Sequence, residues 1–518
     1  EFRRVLFRST FQNIVQSGLD DPKVYQLLQK GYTQNIFQFS SKGMTKFLVS
    51  MQPDKIEDLI AANALFRPAT LDSGSTDKYV DCKLGDADPV YLWGTYNAMK
   101  NTYGVLCYQE QLAQIAREVG KFSLGEGVKL VKLISKKKVD KILALRDKFM
   151  AGANENGCPK EDAEAIWHMF EVAGGYLFNK SHATAYAVTA YAGAYLKANY
   201  PTAFYTIALQ WAKDDEIPTL MSEMELCSEA KIVPPDINVS GGTFITDYET
   251  NKIFWSLSRI KMLGAKATEW IINERNVRGE FSSIENFIER IFRYKLKLYK
   301  YWDDPDNPNE ATKCPVNARH VRHLILSGCF DKVENAQSVI ERYAILEKAA
   351  KCLGFEISEK DIPEDLRNKH YFWSQQQIAI SGIGAIDYKR IYDNSEAKPQ
   401  IKGKASWALL KNIQDPDYDG KRVAICANIV DIEEKKFKDK KTGENRVFCK
   451  LLLQQNNDLV EMVIWNDEWM NVRATLCKGG SLSSAKNKML ICSAQVKYSD
   501  YTGGNNLQLY KSSIIDIL

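Results

Sequence analysis

The sequence predicts a multidomain chain, mainly α-helical through its first part and all-β at its end. A helical repeat of apolar residues runs from Asp21 to about Tyr200, short strands and helices mix over 236–345, and alternating apolar runs fill 420–518. At 518 residues there is room for three to four cores at roughly 150 residues per domain. The 45% hydrophobic and 26% charged residues match the soluble globular average, which argues against collagen, wholesale disorder and a disulfide scaffold.

Residues 1–10 lack an initiator Met and an apolar signal core, and read as an adaptor-like, non-native remnant. The region 11–235 is predicted helical. Within it Cys158-Pro159 opens a helix in which Ala163, Ile166, Trp167 and Phe170 recur on one face, and Gly174-Gly175 closes it. Tyr200-Pro201 and Pro234-Pro235-Asp236 set a boundary near 235–240. The region 236–345 carries a strand at 252–257 and a polar, Pro-bearing exposed insertion at 302–309. A helical connector and linker follow at 346–419. In 420–518, five strands are predicted at 423–432, 446–454, 459–464, 489–497 and 507–515, with a hairpin tip at Lys440-Lys441-Thr442-Gly443. That spacing suits a small closed barrel of the oligonucleotide/oligosaccharide-binding (OB) kind or a small sandwich.

Net charge is only +4, so any nucleic-acid surface has to come from local clustering. The 11 cysteines are scattered and form no C-x-x-C pair, which fits a reducing, cytoplasmic setting. The uncharged stretch 183–196 is 14 residues long, short of the roughly 20 a membrane span needs.

Lys129, Lys132, Lys136, Lys137, Lys138 and Lys141 form the strongest basic cluster, and 129, 132 and 136 share a helical face able to hold phosphates or simply to be solvated. In Phe178-Asn179-Lys180-Ser181-His182-Ala183-Thr184-Ala185-Tyr186 a polar loop enters a small-residue helix. Orphan amides there, beside Lys180 and His182, suit a triphosphate or phosphodiester; the plainer reading makes Ser181 a cap and His182 a core residue. Ile260-Lys261-Met262-Leu263-Gly264-Ala265-Lys266-Ala267 resembles a helix-hairpin-helix turn, in which Gly264 lets backbone amides approach a DNA phosphate, or else an ordinary packing corner. A weaker candidate is Ser381-Gly382-Ile383-Gly384. Cys314, His320, His323 and Cys329 lack the close cysteine pair of a zinc site, and no metal site is expected from them.

From about Leu19 onward the chain resembles the C-terminal portion of a bacterial DNA polymerase III alpha subunit, a C-family replicative polymerase. Separated blocks occur in family order: Phe37-Gln38-Phe39-Ser40-Ser41-Lys42-Gly43-Met44, Ala64-Leu65-Phe66-Arg67-Pro68, Asn101-Thr102-Tyr103-Gly104-Val105 with Tyr108-Gln109-Glu110-Gln111, Ser135-Lys136-Lys137-Lys138, Gly175-Tyr176-Leu177-Phe178-Asn179-Lys180-Ser181-His182-Ala183, Pro234-Pro235-Asp236-Ile237-Asn238 and Ser327-Gly328-Cys329-Phe330-Asp331. The resemblance implies polymerase fingers at 11–235, a tandem helix-hairpin-helix region at 236–345 and an OB domain at 420–518. It implies incoming-nucleotide (dNTP) contacts at Arg67, Lys132, Lys136, Lys137, Lys180, His182 and Tyr186. DNA contacts are implied at Lys261, Gly264, Lys266 and Gly328.

In such enzymes two Mg²⁺ ions held by palm carboxylates drive the 3′-hydroxyl onto the α-phosphate. The resemblance places those carboxylates before this chain, so no catalytic residue and no metal ligand is expected within it, and synthesis by this chain alone is not expected. Asp86/Asp88, Asp304/Asp306 and Asp415/Asp417 do not resemble the palm block. The expected partners are primer-template DNA, dNTP and a single-stranded template at the OB domain, with no membrane. A sliding clamp would have only Tyr371-Phe372-Trp373 as a weak docking peptide. The chain departs from the family at Leu177, Ser135 and Ala69-Thr70, at Lys266 in a hairpin glycine position, and at Lys132, left alone where the family has a basic pair. The rivals are a stand-alone, non-catalytic DNA-binding factor and a helix-hairpin-helix repair enzyme with only Glu269 as a nearby acid.

Overall fold

The computed structural model describes residues 11–292 and 314–517, apart from 136–138, 174–175, 385–387, 394, 396, 402, 404, 439–442, 457, 478–479, 487, 500–503 and 510–514. The expected insertion at 302–309, the closing Gly174-Gly175 and the tip residues Lys440, Lys441 and Thr442 lie outside the described residues. The chain divides into two compact units, Glu1–Phe204 and Tyr205–Leu518.

The first unit contains α1 (Pro22–Gln29), α2 (Lys42–Met51), α3 (Ile56–Leu65), α4 (Ser75–Leu84), α5 (Gln109–Glu118), α6 (Leu124–Ser135), α7 (Val139–Glu155), α8 (Lys160–Ala173) and α9 (Lys180–Asn199). Side chains set the helix starts. Asp21 accepts from the Lys23 amide at 2.9 Å and Ser41 from the Met44 amide at 3.3 Å, which satisfies donors that helices leave unpaired. The face predicted for α8 is realised: Ala163, Ile166, Trp167 and Phe170 are buried, with the Phe149 ring 5.5 Å from Trp167 and 5.6 Å from Phe170.

The uncharged stretch of α9 is a core helix. Ala183, Ala187, Ala190 and Ala194 are fully buried, and α9 packs on α1 and α3. Small side chains there let neighbouring backbones approach closely. Among the described residues no helix is long and apolar enough to cross a membrane. Near the end of α9 the buried Lys197 ammonium donates to the carbonyls of Tyr32 (3.0 Å) and Gln34 (2.8 Å), partners that a buried charge requires. A second buried polar group stitches α3 to α4. Asp58 accepts from the Tyr79 hydroxyl at 2.9 Å and pairs with Lys83 at 3.1 Å, while burial pushes its carboxyl above the usual range.

In the second unit α10 (Ile217–Cys227) precedes a three-stranded sheet of β1 (Lys231–Val233), β2 (Ile245–Asp247) and β3 (Lys252–Phe254). The central β3 runs parallel to β1 and antiparallel to β2. Helices α11 (Ala265–Arg278), α12 (Ile284–Phe292), α13 (Ala318–Leu326), α14 (Arg342–Leu353) and α15 (His370–Ser381) follow. They share a core around Phe287, Phe330 and Trp373, into which α12 turns Ile284, Phe287, Ile288 and Ile291 at helical spacing.

The end of the chain is a closed barrel. After the edge strand β4 (Ser406–Trp407) come β5 (Arg422–Lys438), β6 (Asn445–Gln455), β7 (Asp458–Ile464), α16 (Asn466–Cys477), β8 (Met489–Ser499), β9 (Gly504–Leu509) and β10 (Ile515–Ile517). Pairing runs β5–β6–β7–β9–β8 and returns from β8 to β5; only the β7–β9 contact in that ring is parallel. Closure removes the sandwich alternative and leaves a five-stranded barrel of the OB kind.

Three details differ from expectation. Strand β5 runs on to Lys438 because its outer half pairs with β6 as an arm, and that arm is largely solvent-facing, so little apolar alternation marks it. The strand expected at 507–515 is two pieces, β9 and β10, both paired with β8. Helix α16 was not expected, since only Trp469, Leu476 and Cys477 of its residues are buried.

Candidate functional site

Four of the sequence-distant blocks meet around the first turns of α9. The Phe178 amide donates to the Cys107 carbonyl and the Gln109 amide to the Phe178 carbonyl, each at 2.9 Å, forming a parallel bridge. Buried Gln111 fixes one side of it. Its Oε1 accepts from the amides of Cys107 (2.9 Å) and Tyr108 (2.8 Å), and its Nε2 donates to Ala98 O (3.1 Å) and Thr102 Oγ1 (2.7 Å). Arg67 fixes the other side. It donates to the carbonyls of Ala64 and Tyr176, and its guanidinium lies 4.5 Å from the centre of the Phe178 ring. These contacts make Arg67 a support for the loop into α9.

From there a row of rings climbs the helix: Phe178 to His182 at 5.5 Å, His182 to Tyr186 at 4.1 Å, Tyr186 to Phe37 at 5.1 Å. Lys180 and His182 are exposed and Tyr186 is half-buried. Leu177 is buried in the α8 core and anchors the same loop.

The start of α9 is not the open nest of amides that the sequence suggested. Asn179, rather than Ser181, is the cap, accepting from the His182 amide at 2.9 Å. Glu110 accepts from the Lys180 amide at 2.9 Å and from Asn179 Nδ2 at 3.1 Å. Two of the amides are thereby plugged, one by a carboxylate, so an anion here has to be held mainly by side chains. A cleft of about 360 Å³ runs between α5, α6 and Asn179, with Glu110, Gln114, Arg117, Val128 and Val131 among its walls. Lys132 follows Val131 on α6 and is exposed. Lys136 and Lys137 lie outside the described residues.

The Asp-x-Asp triplets are placed as follows. Asp86 and Asp88 are exposed, Asp415 accepts from the Asp417 amide at 2.9 Å, and Asp304 and Asp306 lie outside the described residues. Among the described residues no three His, Cys, Asp or Glu side chains converge to hold a metal ion.

In the second unit Lys261, Gly264 and Lys266 share one exposed hairpin tip above buried Leu263. Gly264 caps α11 with no side-chain hydrogen bond, and a Cβ added there would meet nothing within 4 Å. The left-handed residue of the turn is Met262, at φ 71°, whereas Gly264 sits at −68°. A side chain in that conformation costs about 1–2 kcal/mol. The histidines set aside from zinc flank this turn: His323 Nδ1 donates to the Lys261 carbonyl at 2.6 Å, and the His320 ring stands beside the Met262 backbone.

Gly328 leaves the expected DNA-facing set. It is buried at φ 90°, and a Cβ there would stand 2.6 Å from the Arg342 guanidinium, itself bound to Asp331, Leu326 O and Gln377. In the weaker candidate Gly382 is the C-cap of α15, and Gly384 packs against Ile378.

On the barrel, Phe437 and Phe448 from the β5–β6 arm and Trp465 after β7 form a triad with ring centres 5.3–5.7 Å apart, and Trp465 is 42% exposed. Trp469 is core, donating to Glu434 at 2.8 Å, while Tyr501 and Tyr510 lie outside the described residues. Phe372 and Trp373 are buried as well, so Tyr371-Phe372-Trp373 offers no exposed clamp peptide.

A helical first unit with a cleft beside α9, an exposed hairpin tip carrying lysines and a barrel with an aromatic face are the features that comparison with known proteins can address. The family of the bacterial DNA polymerase III alpha subunit finger domain matches residues 8–157, and the helix-hairpin-helix motif matches 229–300. The chain is 28% identical to the DNA polymerase III subunit alpha of Escherichia coli (strain K12), over 98% of this chain and 42% of that protein. With that of Aquifex aeolicus it shares 35% identity over 65% of this chain and 27% of the relative. With that of Thermus aquaticus it shares 36% over 53% and 23%. The chain is thus similar along its length to bacterial DNA polymerase III alpha subunits, and its matches cover less than half the length of each of these relatives.

Proposed function

We propose that this chain is the substrate-gripping portion of a replicative, template-directed DNA polymerase, its first unit holding an incoming dNTP and its second unit holding primer-template DNA. The observation that carries the reading is the meeting of the blocks at 37–44, 64–68, 101–111 and 175–183 around the first turns of α9. Loops tied together over such sequence distances are built to present something, and they present Lys180, His182 and Tyr186.

With the amides plugged, triphosphate recognition falls to Lys132, Lys180 and His182. Their charges or donors can offset negative charge growing on the leaving pyrophosphate. Tyr186, its ring tilted against that of His182, offers a flat edge to the sugar or base. Lys261, Lys266 and the uncapped start of α11 suit duplex phosphates, which position DNA without reading its sequence. The triad Phe437, Phe448 and Trp465, near Lys435 and Arg446, suits a single-stranded template, at about 1–3 kcal/mol for each stacked base. Mg²⁺ chemistry is assigned to carboxylates other than those described, so primer extension by this chain alone is not expected.

The test is the affinity for a primer-template with and without the next complementary dNTP. The reading expects the dNTP to tighten binding, and expects Lys132→Ala and His182→Ala to abolish most of that gain. A wild-type chain that binds DNA equally with and without dNTP supports the stand-alone binding factor instead.

A further inference from the structure

We propose that His323, with His320 beside it, is the positioning residue that holds the 260–264 turn in its DNA-gripping shape. This rests on the duplex-binding reading of that turn. The turn has a left-handed residue, Met262, that is 58% exposed, so its side chain gains little from burial that would hold the backbone there. Two bonds close the turn from within, Leu263 N to Ile260 O and Gly264 N to Met262 O, each at 3.1 Å, and further holding groups come from elsewhere in the fold. On one side the Lys261 amide donates to Ile380 O at 2.8 Å; on the other the Lys261 carbonyl accepts from His323 Nδ1 at 2.6 Å. A carbonyl can only accept, so Nδ1 of His323 carries the proton.

His320 Nδ1 accepts from the Asn317 amide at 3.3 Å, which fixes its ring beside the Met262 backbone. The two imidazoles therefore bracket the left-handed residue. Their helix is itself anchored, since α13 buries Val321, Leu324 and Ile325. Without the bracket, Met262 relaxes to an ordinary backbone conformation, and Lys261 and the start of α11 lose their common orientation.

The experiment measures affinity of the full chain for a primer-template duplex, with thermal unfolding followed in parallel. His323→Ala is expected to weaken binding about tenfold, whereas His323→Asn, whose amide nitrogen reaches the Nδ1 position, stays within about threefold of wild type. Adding Met262→Gly to His323→Ala should restore most of the loss, because glycine adopts the turn unaided. Equal losses for Ala and Asn at 323, or no restoration by Met262→Gly, would overturn the proposal. If His323→Ala unfolds the chain, Met262→Gly alone decides: unchanged or tighter binding supports the bracket, weaker binding contradicts it. Lys266→Ala separates the two levels. Weaker binding there with a normal His323→Ala sinks the bracket alone, and no effect of Lys266→Ala sinks the duplex reading with it.

Discussion

The starts of α9 and α11 both carry lysines, yet they are built in opposite ways. At α9 two of the amides are occupied, by Asn179 and Glu110, and the segment is tied to residues about 70 and 110 positions away. At α11 the cap is a glycine with no side-chain hydrogen bond, and the distant groups that brace its turn, Ile380 O and His323, bind Lys261 and leave the helix start open. A helix start plugged by a carboxylate disfavours a bare anion and leaves selection to side chains with shape, which suits a nucleotide. An open start takes any backbone phosphate, which suits DNA of every sequence.

The largest expected effect tests how deeply the first site is built in. Gln111→Leu strips four hydrogen bonds and leaves two buried amides unpaired, so it should lower unfolding free energy by about 3 kcal/mol in denaturant titration. Lys266→Ala should change stability by less than about 0.5 kcal/mol. A similar cost at both positions would erase the contrast. Next comes Gly328→Ala, expected to cost about 2 kcal/mol because it forces a Cβ into a left-handed residue against Arg342. Its duplex affinity per folded molecule should stay at wild type, which a DNA-contacting Gly328 would not allow.

A smaller effect belongs to Lys132→Ala. About a tenfold loss in dNTP-dependent affinity at unchanged melting temperature marks an exposed binding lysine, whereas a falling melting temperature marks a structural one. Smallest is Glu110→Gln, which keeps an acceptor for the Lys180 amide but removes the charge. It should tighten binding of a free triphosphate by about two- to fivefold without moving duplex affinity.

Much of this was legible in residue order. The α8 face, the five barrel strands and the exposed tip of Lys261, Gly264 and Lys266 follow from local patterns of period and turn chemistry. What stayed hidden depends on partners far along the chain. Glu110 as the plug of α9, Arg67 as a loop support and the Gly328–Arg342 contact each join segments that no spacing rule connects. His320 and His323 were visible as a pair, but their spacing spoke only to metal. The turn glycine was expected at Gly264, and only the structure shows that the left-handed residue is Met262, which has to be braced.

The most direct test follows amide hydrogen exchange on the full chain in three states: alone, with primer-template, and with primer-template plus complementary dNTP. Duplex alone is expected to protect the 260–267 segment, and added dNTP newly to protect 176–186 while leaving 260–267 as it was. Protection of 176–186 by duplex without nucleotide, or none there when dNTP is added, would contradict this expectation.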